Sequence, residues 1–559
     1  MLPSHIKSVG LYYHTLKHLN PEQILWWAWR KLYRPRPDLR PAPMVWPTSI
    51  MWVKSATKPI SMTAPDCCRF LNFELSIASP DCWNNPFCDK LWLYNLHYFD
   101  DLNAPEAEDR LEWHRNLIHR WIAENPPGTG TGWEPYPTAR RIVNWVKWSL
   151  SGNAIHTKWR LSLAVQTRWL FKHIEWHRPG RHLFTDAKAL VFAGLFFEGE
   201  EARKWLDRGL AILARELPAQ ILPDNGHFER SPMVHALAVE DMLDLINLTA
   251  TYANAVPTEH RPFVASWPGI AAGMRRCLAL LCHPDGDIAF FNDATLDITP
   301  RRAELEDYAG RLGLAAIESG GEGLTHLGDT GYIRIAAGDA VALLDVAPIG
   351  PDDLPGYAHA DTLSFELSLF SQRVLANSGT SEYGASIERQ RQRGTMAHNT
   401  VTVNDADSSE VWGGFRVARR AKPFGLWVES SEHTMKVSCS HDGYRRLFGK
   451  PVHRRFWLFT PGEMKITDTV EGNFKTARAR FHFHPDADIQ ASADGFAVDL
   501  NGGQQMEIGI EGGVSTILST TWHPGFGRSQ PNQCLEVVFK GPRIETVFNW
   551  QVKSSEIEK

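Results

Sequence analysis

The hydrophobic period of this chain changes once, near residue 331. Before that point apolar residues recur every three or four positions, as in Leu206, Leu210, Leu213 and Leu217, and therefore lie on one face of a helix. After it, short runs alternate apolar and polar residues between Gly, Asp and Pro turns. A chain of 559 residues is also longer than one hydrophobic core usually supports. We therefore expect an α+β multidomain protein, with a helical half followed by an antiparallel β-sandwich.

The pattern divides the chain into three predicted parts. Residues 1–90 combine a Trp- and Arg-rich helix with a Pro-rich wrapping arm, residues 91–330 are helical, and residues 331–559 form the strands. Repeated antiparallel helix pairs in the middle part suggest an incomplete α/α toroid, although no sequence repeat is strong. The predicted helices are 111–124, 139–150, 159–176, 187–197 and 270–281, and the predicted strands are 364–370, 400–403, 455–459 and 478–483.

Charge and composition exclude several functional classes. The formal net charge is -5 without a strongly basic tract, so nucleic-acid binding has little electrostatic support. No window reaches the roughly 18 apolar residues of a membrane span. No signal peptide is recognisable at the N-terminus, so the sequence alone predicts a cytoplasmic location. The eight cysteines are dispersed without a C-x-x-C pair and are expected to be ordinary thiols, with a Cys82–Cys88 disulfide as the alternative.

Polar residues alternate with apolar ones at 357–367. In a strand, Tyr357, His359 and Asp361 would extend the same inward face as Leu363 and Phe365. Buried polar groups must be hydrogen-bonded or bind a metal. A polar plug at the sandwich edge and a catalytic or metal-binding role both satisfy this requirement.

His398 precedes the predicted strand 400–403 and can approach His359 from a neighbouring strand. Two imidazoles with a carboxylate or an amide suit zinc. A structural pair of histidines is the alternative.

The helical half offers polar candidates for a substrate cleft. Glu229 and Arg230 precede a helix that Ser231 caps and Pro232 begins, and the positive end of that helix favours a substrate carboxylate. Arg141 can add a charge-assisted contact. A solvated arginine and a purely structural cap explain these residues equally well.

Aromatic residues are frequent, with 22 Trp in the chain. Their faces can stack on sugar rings, and Trp92, Trp133 and Trp412 are the candidates because they lie in loop-like contexts. The alternative, packing at helix interfaces, is expected for the majority of the aromatic residues.

These motifs resemble those of bacterial heparinase II/III-family proteins, especially the exopolysaccharide-associated branch. The resemblance covers most of residues 90–490 and rests on ordered motifs at 94–100, 132–136, 187–194, 228–235, 359–366, 397–401 and 441–444. It implies an α/α toroid, a β-sandwich, and β-elimination of uronic-acid polysaccharides in the cleft between them. It also implies a location in the cell envelope or periplasm.

The resemblance further implies roles for individual residues. His182, Tyr357 and His235 are the predicted catalytic residues, and the predicted substrate-binding residues are Trp133, Tyr136, Arg141, Arg181, Glu229 and Arg230. Arg181 stands where the family has an amide, Val234 where it has a proton-transferring tyrosine, and Tyr357 where it has a histidine.

A structural zinc ion is implied as well, held by His359, Asn377 and His398. Asn377 stands where the family has an aspartate, which makes the predicted site weaker, because an amide ligates only through its carbonyl oxygen.

The expected function is that of a polysaccharide lyase acting on an anionic polysaccharide or oligosaccharide. Two alternatives stay open. One is a glycoside hydrolase that uses carboxylates such as Glu229 and Asp361. The other is a non-catalytic polysaccharide-binding protein, which the valine at position 234 favours.

Overall fold

The structure of this protein is a computed structural model that describes residues 4–48, 50–318, 320–493 and 495–552. Residues 1–3 and 553–559, at the outer ends of the first and third predicted parts, lie outside the described residues. The helices of the N-terminal half are α1 (Ser4–Leu16), α2 (Pro21–Leu32), α3 (Lys90–Tyr98), α4 (Leu111–Glu124), α5 (Pro135–Leu150), α6 (Thr157–Lys172), α7 (Arg181–Phe196), α8 (Glu200–Gln220), α9 (Pro232–Thr251), α10 (Arg261–Leu280) and α11 (Arg302–Arg311).

Helix α7 lies at the centre of the helical half and packs against α5, α6, α8 and α9. The predicted leucine stripe of α8 is buried, and the helix includes Pro218 in its last turn and ends at Gln220. The predicted cap of α9 is confirmed, because Ser231 Oγ accepts the Val234 N–H at 3.1 Å and Pro232 is the first helical residue.

The segment between α2 and α3 runs along the helical half. It includes a small antiparallel sheet of β1 (Met62–Ala64), β2 (Cys67–Phe70) and β3 (Phe73–Ser76). Trp46 donates its backbone N–H to the Phe196 carbonyl at 3.0 Å, and Arg168 donates to the carbonyls of Arg40 and Pro41. These contacts hold the segment against α6 and α7.

The C-terminal half consists mainly of antiparallel sheets. A five-stranded sheet has the order β4 (Gly323–Leu327), β5 (Tyr332–Ala337), β6 (Ala340–Asp345), β7 (Phe365–Leu369), β8 (Gln372–Leu375). A four-stranded sheet has the order β20 (Gly513–Trp522), β21 (Gln530–Phe539), β16 (Ala477–His482), β9 (Val401–Val403). An eight-stranded sheet has the order β12 (Pro423–Ser430), β13 (Met435–His441), β14 (Val452–Thr460), β15 (Glu463–Glu471), β22 (Arg543–Val552), β19 (Gln504–Glu511), β18 (Gly495–Asp499), β17 (Asp488–Ser492).

A short helix, α12 (Ile387–Arg393), and a hairpin of β10 (Val411–Trp412) and β11 (Arg416–Val417) complete this half within the described residues. The three larger sheets share one core, which includes Phe365, Trp457, Phe481 and Phe548. Burial alternates along β14 and β15, as expected for strands with one inward face. The predicted order, helices followed by antiparallel sheets, is confirmed.

The prediction of one continuous strand over 357–367 is wrong. Strand β7 begins only at Phe365, and Leu363 has a left-handed φ of 63°. The Asn292 side chain accepts the His359 N–H at 3.0 Å, and Asp293 donates its N–H to the Tyr357 carbonyl at 2.8 Å. Because these bonds replace a strand ladder, Tyr357 and His359 lie in an irregular segment.

The two halves pack directly against each other. Cys277 and Leu281 of the helical half share a buried cluster with Tyr332 and Leu343 of the sandwich. At the N-terminus, Thr15 of α1 donates its hydroxyl to the Val417 carbonyl at 3.3 Å.

All eight cysteines, including Cys82 and Cys88, are free thiols. In the described part of the chain, no helix has the length and apolarity that a bilayer crossing requires.

Candidate active site

Helix α7 begins at the boundary between the two halves with Arg181 and His182. The preceding Gly180 has a φ of +85°, which favours glycine. A Cβ at that position would lie 2.6 Å from Glu229 Oε1 and 2.7 Å from Leu354 Cδ2, a side chain of the sandwich half. Glycine therefore allows side chains of both halves to pack closely against the start of α7.

His182 is the accessible imidazole at this helix start, with 27% of its side chain exposed. Its Nδ1 lies 2.8 Å from Oε2 of the buried Glu175, and its ring centroid lies 4.6 Å from that of Tyr136. Burial alone would raise the pKa of Glu175, but the charge and hydrogen bond of His182 hold it at about 2. Since the carboxylate accepts the Nδ1 proton, the neutral ring carries its lone pair on Nε2.

Arg181 is the cation beside this imidazole. Burial opposes its charge, but Tyr136 and Asp241 raise its pKa, so the guanidinium stays charged. Its Nη1 donates to Asp241 Oδ2 at 3.1 Å, whereas Nε and Nη2 form no hydrogen bond with a described residue. Two donor nitrogens of the buried Arg181 are therefore without a partner among the described residues.

Buried ion pairs hold Asp241 in place behind Arg181. Lys188 Nζ donates to Asp241 Oδ1 at 2.7 Å and to Asp244 Oδ2 at 2.5 Å, and Lys147 lies 2.5 Å from the same Asp244 oxygen. All four groups are buried. Buried charges that are paired in this way keep a fixed geometry, which positions Arg181.

Tyr357 reaches the same region from the sandwich half. It is half-buried, and burial together with the charge of Glu229 raises the pKa of its phenol far above the ordinary value. Its ring centroid lies 6.5 Å from that of Tyr383. Tyr357 therefore keeps its proton at neutral pH.

Asp293 anchors the segment that carries Tyr357. It accepts hydrogen bonds from His359 Nε2 at 2.8 Å, from Thr380 Oγ1 at 3.2 Å and from both terminal nitrogens of Arg389. Burial opposes the charge of Asp293, but Arg389 and His359 hold its pKa far below the ordinary value. Sequence reasoning missed Asp293 and Arg389, because only the fold brings them to His359.

Two of the three predicted zinc ligands, His359 and His398, lie next to each other. His359 donates through Nε2 to Asp293, which leaves the Nδ1 lone pair 3.2 Å from His398 Nε2. Two nitrogens at this separation fit two vertices of a tetrahedral zinc ion with bonds of about 2.0 Å. Asn377 Oδ1 accepts the Asn399 N–H at 3.1 Å and keeps a second lone pair. No group of three or more His, Cys, Asp or Glu side chains within the described residues is suited to a metal. Zinc, with Asn377 as its third ligand, therefore stays a prediction.

Two family models match this chain: "Heparinase II/III N-terminus" over residues 110–308 and "Heparinase II/III-like, C-terminal" over residues 319–552. The chain belongs to the heparinase II/III family. "FtsZ-localized protein C" of Caulobacter vibrioides (strain NA1000 / CB15N) is 26% identical over 358 residues, which cover 58% of each chain. A "Heparin-sulfate lyase" of Bacteroides stercoris is 27% identical over 357 residues, or 59% of this chain and 50% of the relative. The chain thus spans only half to three-fifths of these relatives.

Among solved structures, the "Crystal Structure of Heparinase III" aligns with a TM-score of 0.66 and 17% identity, over 87% of this chain and 80% of the other. At this identity the likeness concerns the fold alone. It confirms the predicted toroid followed by a sandwich.

Several predicted site residues of this heparinase II/III protein lie elsewhere. Arg141 is fully buried and donates to Gln166 and to the Gly132 carbonyl, with its guanidinium 3.8 Å from the Trp121 ring. Trp133 is buried and donates its indole N–H to the Asn125 carbonyl at 3.2 Å. Both residues stabilise the helical core.

His235 and Arg230 also have structural contacts. His235 is buried, and its Nε2 lies 2.8 Å from the Met274 carbonyl. Arg230 donates to the carbonyls of Thr330 and Asp329 at the start of the sandwich. The heparinase II/III site therefore forms without them.

The proposed sugar-stacking Trp92 and Trp412 are engaged as well. Trp92 is buried and donates its indole N–H to the Phe73 carbonyl, and Trp412 donates to Thr15 Oγ1 and contacts the Tyr12 ring. The structure brings together Tyr136, Arg181, His182, Glu229 and Tyr357 instead.

Proposed function

We propose that this protein cleaves a uronic-acid-containing anionic polysaccharide by β-elimination at the start of α7. The observation that carries the proposal is the accessible His182, held by Glu175 beside the partly unbonded Arg181. The heparin-sulfate lyase relative supports a substrate of this class.

Arg181 neutralises the uronate carboxylate in this proposal. Its Nε and Nη2 are available, and the N-terminus of α7 adds the positive end of a helix dipole. Neutralisation stabilises the carbanion character that develops at C5 when its proton leaves.

His182 takes the C5 proton through Nε2. The Nδ1 hydrogen bond to Glu175 orients the ring and stabilises the imidazolium that forms. The electrons of the C5–H bond become the C4–C5 double bond as the C4–O bond breaks.

Tyr357 protonates the departing oxygen. The phenol is protonated before the reaction and donates this proton as the C4–O bond breaks. Transfer of a proton from the imidazolium of His182, through solvent, then restores both groups. Val234, where a tyrosine was expected, is buried on α9, so Tyr357 supplies the phenol from the opposite half.

The carboxylates that a glycoside hydrolase would need are poorly placed. Glu229 is 2% exposed, and the fully buried Asp361 accepts the Asn292 N–H at 2.8 Å. Neither presents an oxygen to a glycosidic bond, so elimination is the better-supported reaction.

A zinc ion held by His359, Asn377 and His398 belongs to the proposal as a structural group. When bound, the zinc ion would cross-link the segment that carries Tyr357, since Tyr357 lies two residues before His359. The proposed compartment is the cell envelope or periplasm, with the cytoplasm as the alternative; cell fractionation tests it.

The experiment is incubation of the purified protein with heparan sulfate, alginate, hyaluronan and bacterial exopolysaccharides. Elimination yields an unsaturated sugar that absorbs ultraviolet light, and we expect one uronate polymer to yield it. Binding without new chain ends on every polymer would instead support a carbohydrate-binding protein.

A further inference from the structure

Helix α2 exposes an apolar face to solvent. The exposed apolar side chains, which together we call the α2 face, are Ile24, Leu25, Trp27, Trp29 and Leu32 of the helix and Tyr33 directly after it. Trp27 is 54% exposed, Trp29 50% and Leu32 80%. Large apolar side chains exposed together on one short helix mark a binding site more often than scattered exposed residues do.

The opposite side of α2 is fixed to both halves of the protein. Gln23 Nε2 donates to the Asp353 carbonyl at 3.2 Å, and the Trp26 ring stacks on Trp176 at 5.9 Å. Arg30 Nη1 lies 3.4 Å from Oε1 of Glu175, the residue that holds His182. The α2 face is therefore held in place near the candidate active site.

Cations accompany the α2 face along the chain. Residues 21–43 contain five Lys and Arg side chains and two carboxylates, whereas the whole chain has a net charge of -5. Lys31 Nζ lies 3.6 Å over the Trp27 ring, and Arg34 and Arg36 are exposed. Lys31, Arg34 and Arg36 form no ion pair within the described ranges, so their charge is available to an anionic partner.

We propose that the α2 face docks this protein on an anionic lipid bilayer. Indole and phenol rings favour the level of the lipid headgroups, leucines enter the acyl boundary, and exposed arginines bind lipid phosphates. Docking through α2 positions the start of α7 close to the bilayer surface. The cations favour phosphate-rich lipid over an apolar protein partner or a second copy of this chain.

The experiment is co-sedimentation of the full chain with vesicles of phosphatidylcholine alone or mixed with phosphatidylglycerol. We expect binding to the mixed vesicles that weakens at high salt. The triple variant Trp27→Ser, Trp29→Ser, Leu32→Ser is expected to bind at least about tenfold more weakly. Arg34→Gln with Arg36→Gln is expected to lower binding to mixed vesicles by about tenfold or more.

Phe448→Ser is the matched control, because Phe448 is an apolar side chain with 95% exposure outside the α2 face. Its vesicle binding is expected to equal that of the natural chain. Since all substituted side chains are exposed, unchanged circular dichroism will show that the variants fold. Absence of binding to the mixed vesicles, or equal binding by the triple variant, overturns the proposal. A third result would also overturn the proposal. In this result, light scattering shows that the natural chain is an oligomer, only the triple variant disrupts that oligomer, and no chain binds vesicles.

Discussion

The imidazole Nδ1 of His182 lies 2.8 Å from Oε2 of Glu175, so a buried carboxylate orients the accessible histidine at the start of α7. This geometry leaves the lone pair on Nε2, which is the proton acceptor in the proposed reaction. The arrangement is the central element of the proposed elimination, and its removal gives the first prediction.

Replacing His182 with Ala is expected to lower the rate of unsaturated product formation by about 10²–10⁴, the contribution typical of general acid–base catalysis. Glu175→Gln is expected to lower it less, since the ring keeps a hydrogen-bond partner without the charge. Initial rates measured by ultraviolet absorbance check both. The exposed His433, replaced by Ala, is the control and should retain full activity; an active His182→Ala protein would remove His182 from the mechanism.

Replacing Tyr357 with Phe is expected to reduce elimination by at least about 100-fold, because the phenol that protonates the leaving oxygen is lost while the ring still packs. Substrate affinity should change little. Equilibrium binding of the responsive polymer, measured beside the rate, separates these effects. Full elimination activity in Tyr357→Phe is the result that contradicts the assignment.

Replacing Glu229 with Gln is expected to change the pH dependence of stability. Burial raises the pKa of Glu229 from 4.5 to about 8 in the folded protein. The folded state therefore holds a proton that the unfolded chain loses, and stability declines as pH rises from about 4.5 to about 8. At higher pH the penalty is at most about 5 kcal/mol.

The variant lacks this penalty, so its apparent melting temperature should match that of the natural chain near pH 4 and exceed it near pH 9. Thermal unfolding across this pH range measures the difference. A difference that does not vary with pH would show that Glu229 stays ionised in the folded protein.

The sequence predicts those parts of the fold that depend on local rules. Helix α4 and the Ser231 cap match the prediction because apolar spacing and capping act within a few residues. The hydrogen bonds of Asn292 and Asp293 to segment 357–359 were not predictable, because they join positions more than sixty residues apart. They also explain why the alternating pattern there does not form a strand.

The candidate site, too, was predictable in part from the sequence and in part only from the fold. The family motifs identified Arg181, His182 and Tyr357, which the structure brings to one region. They did not distinguish Arg141, whose side chain points into the helical core, from residues near the cleft. Residue type does not determine orientation, since that depends on which helix face packs inward.

Metal analysis of the purified protein is expected to find one zinc ion per chain, and His359→Ala or His398→Ala is expected to lose it. Asn377→Asp should bind zinc more tightly, because a carboxylate adds charge to the ligand set. Mass spectrometry of metal content and competition with a chelator measure both effects. Equal zinc content in the natural chain and in both alanine variants would exclude this site.

The ratio of unsaturated ends to new reducing ends tests the proposed elimination most directly. Each elimination creates one of each, so we predict a ratio of one for the responsive polymer, with both signals lost in His182→Ala. Reducing ends without ultraviolet absorbance would mean hydrolysis and would contradict the account.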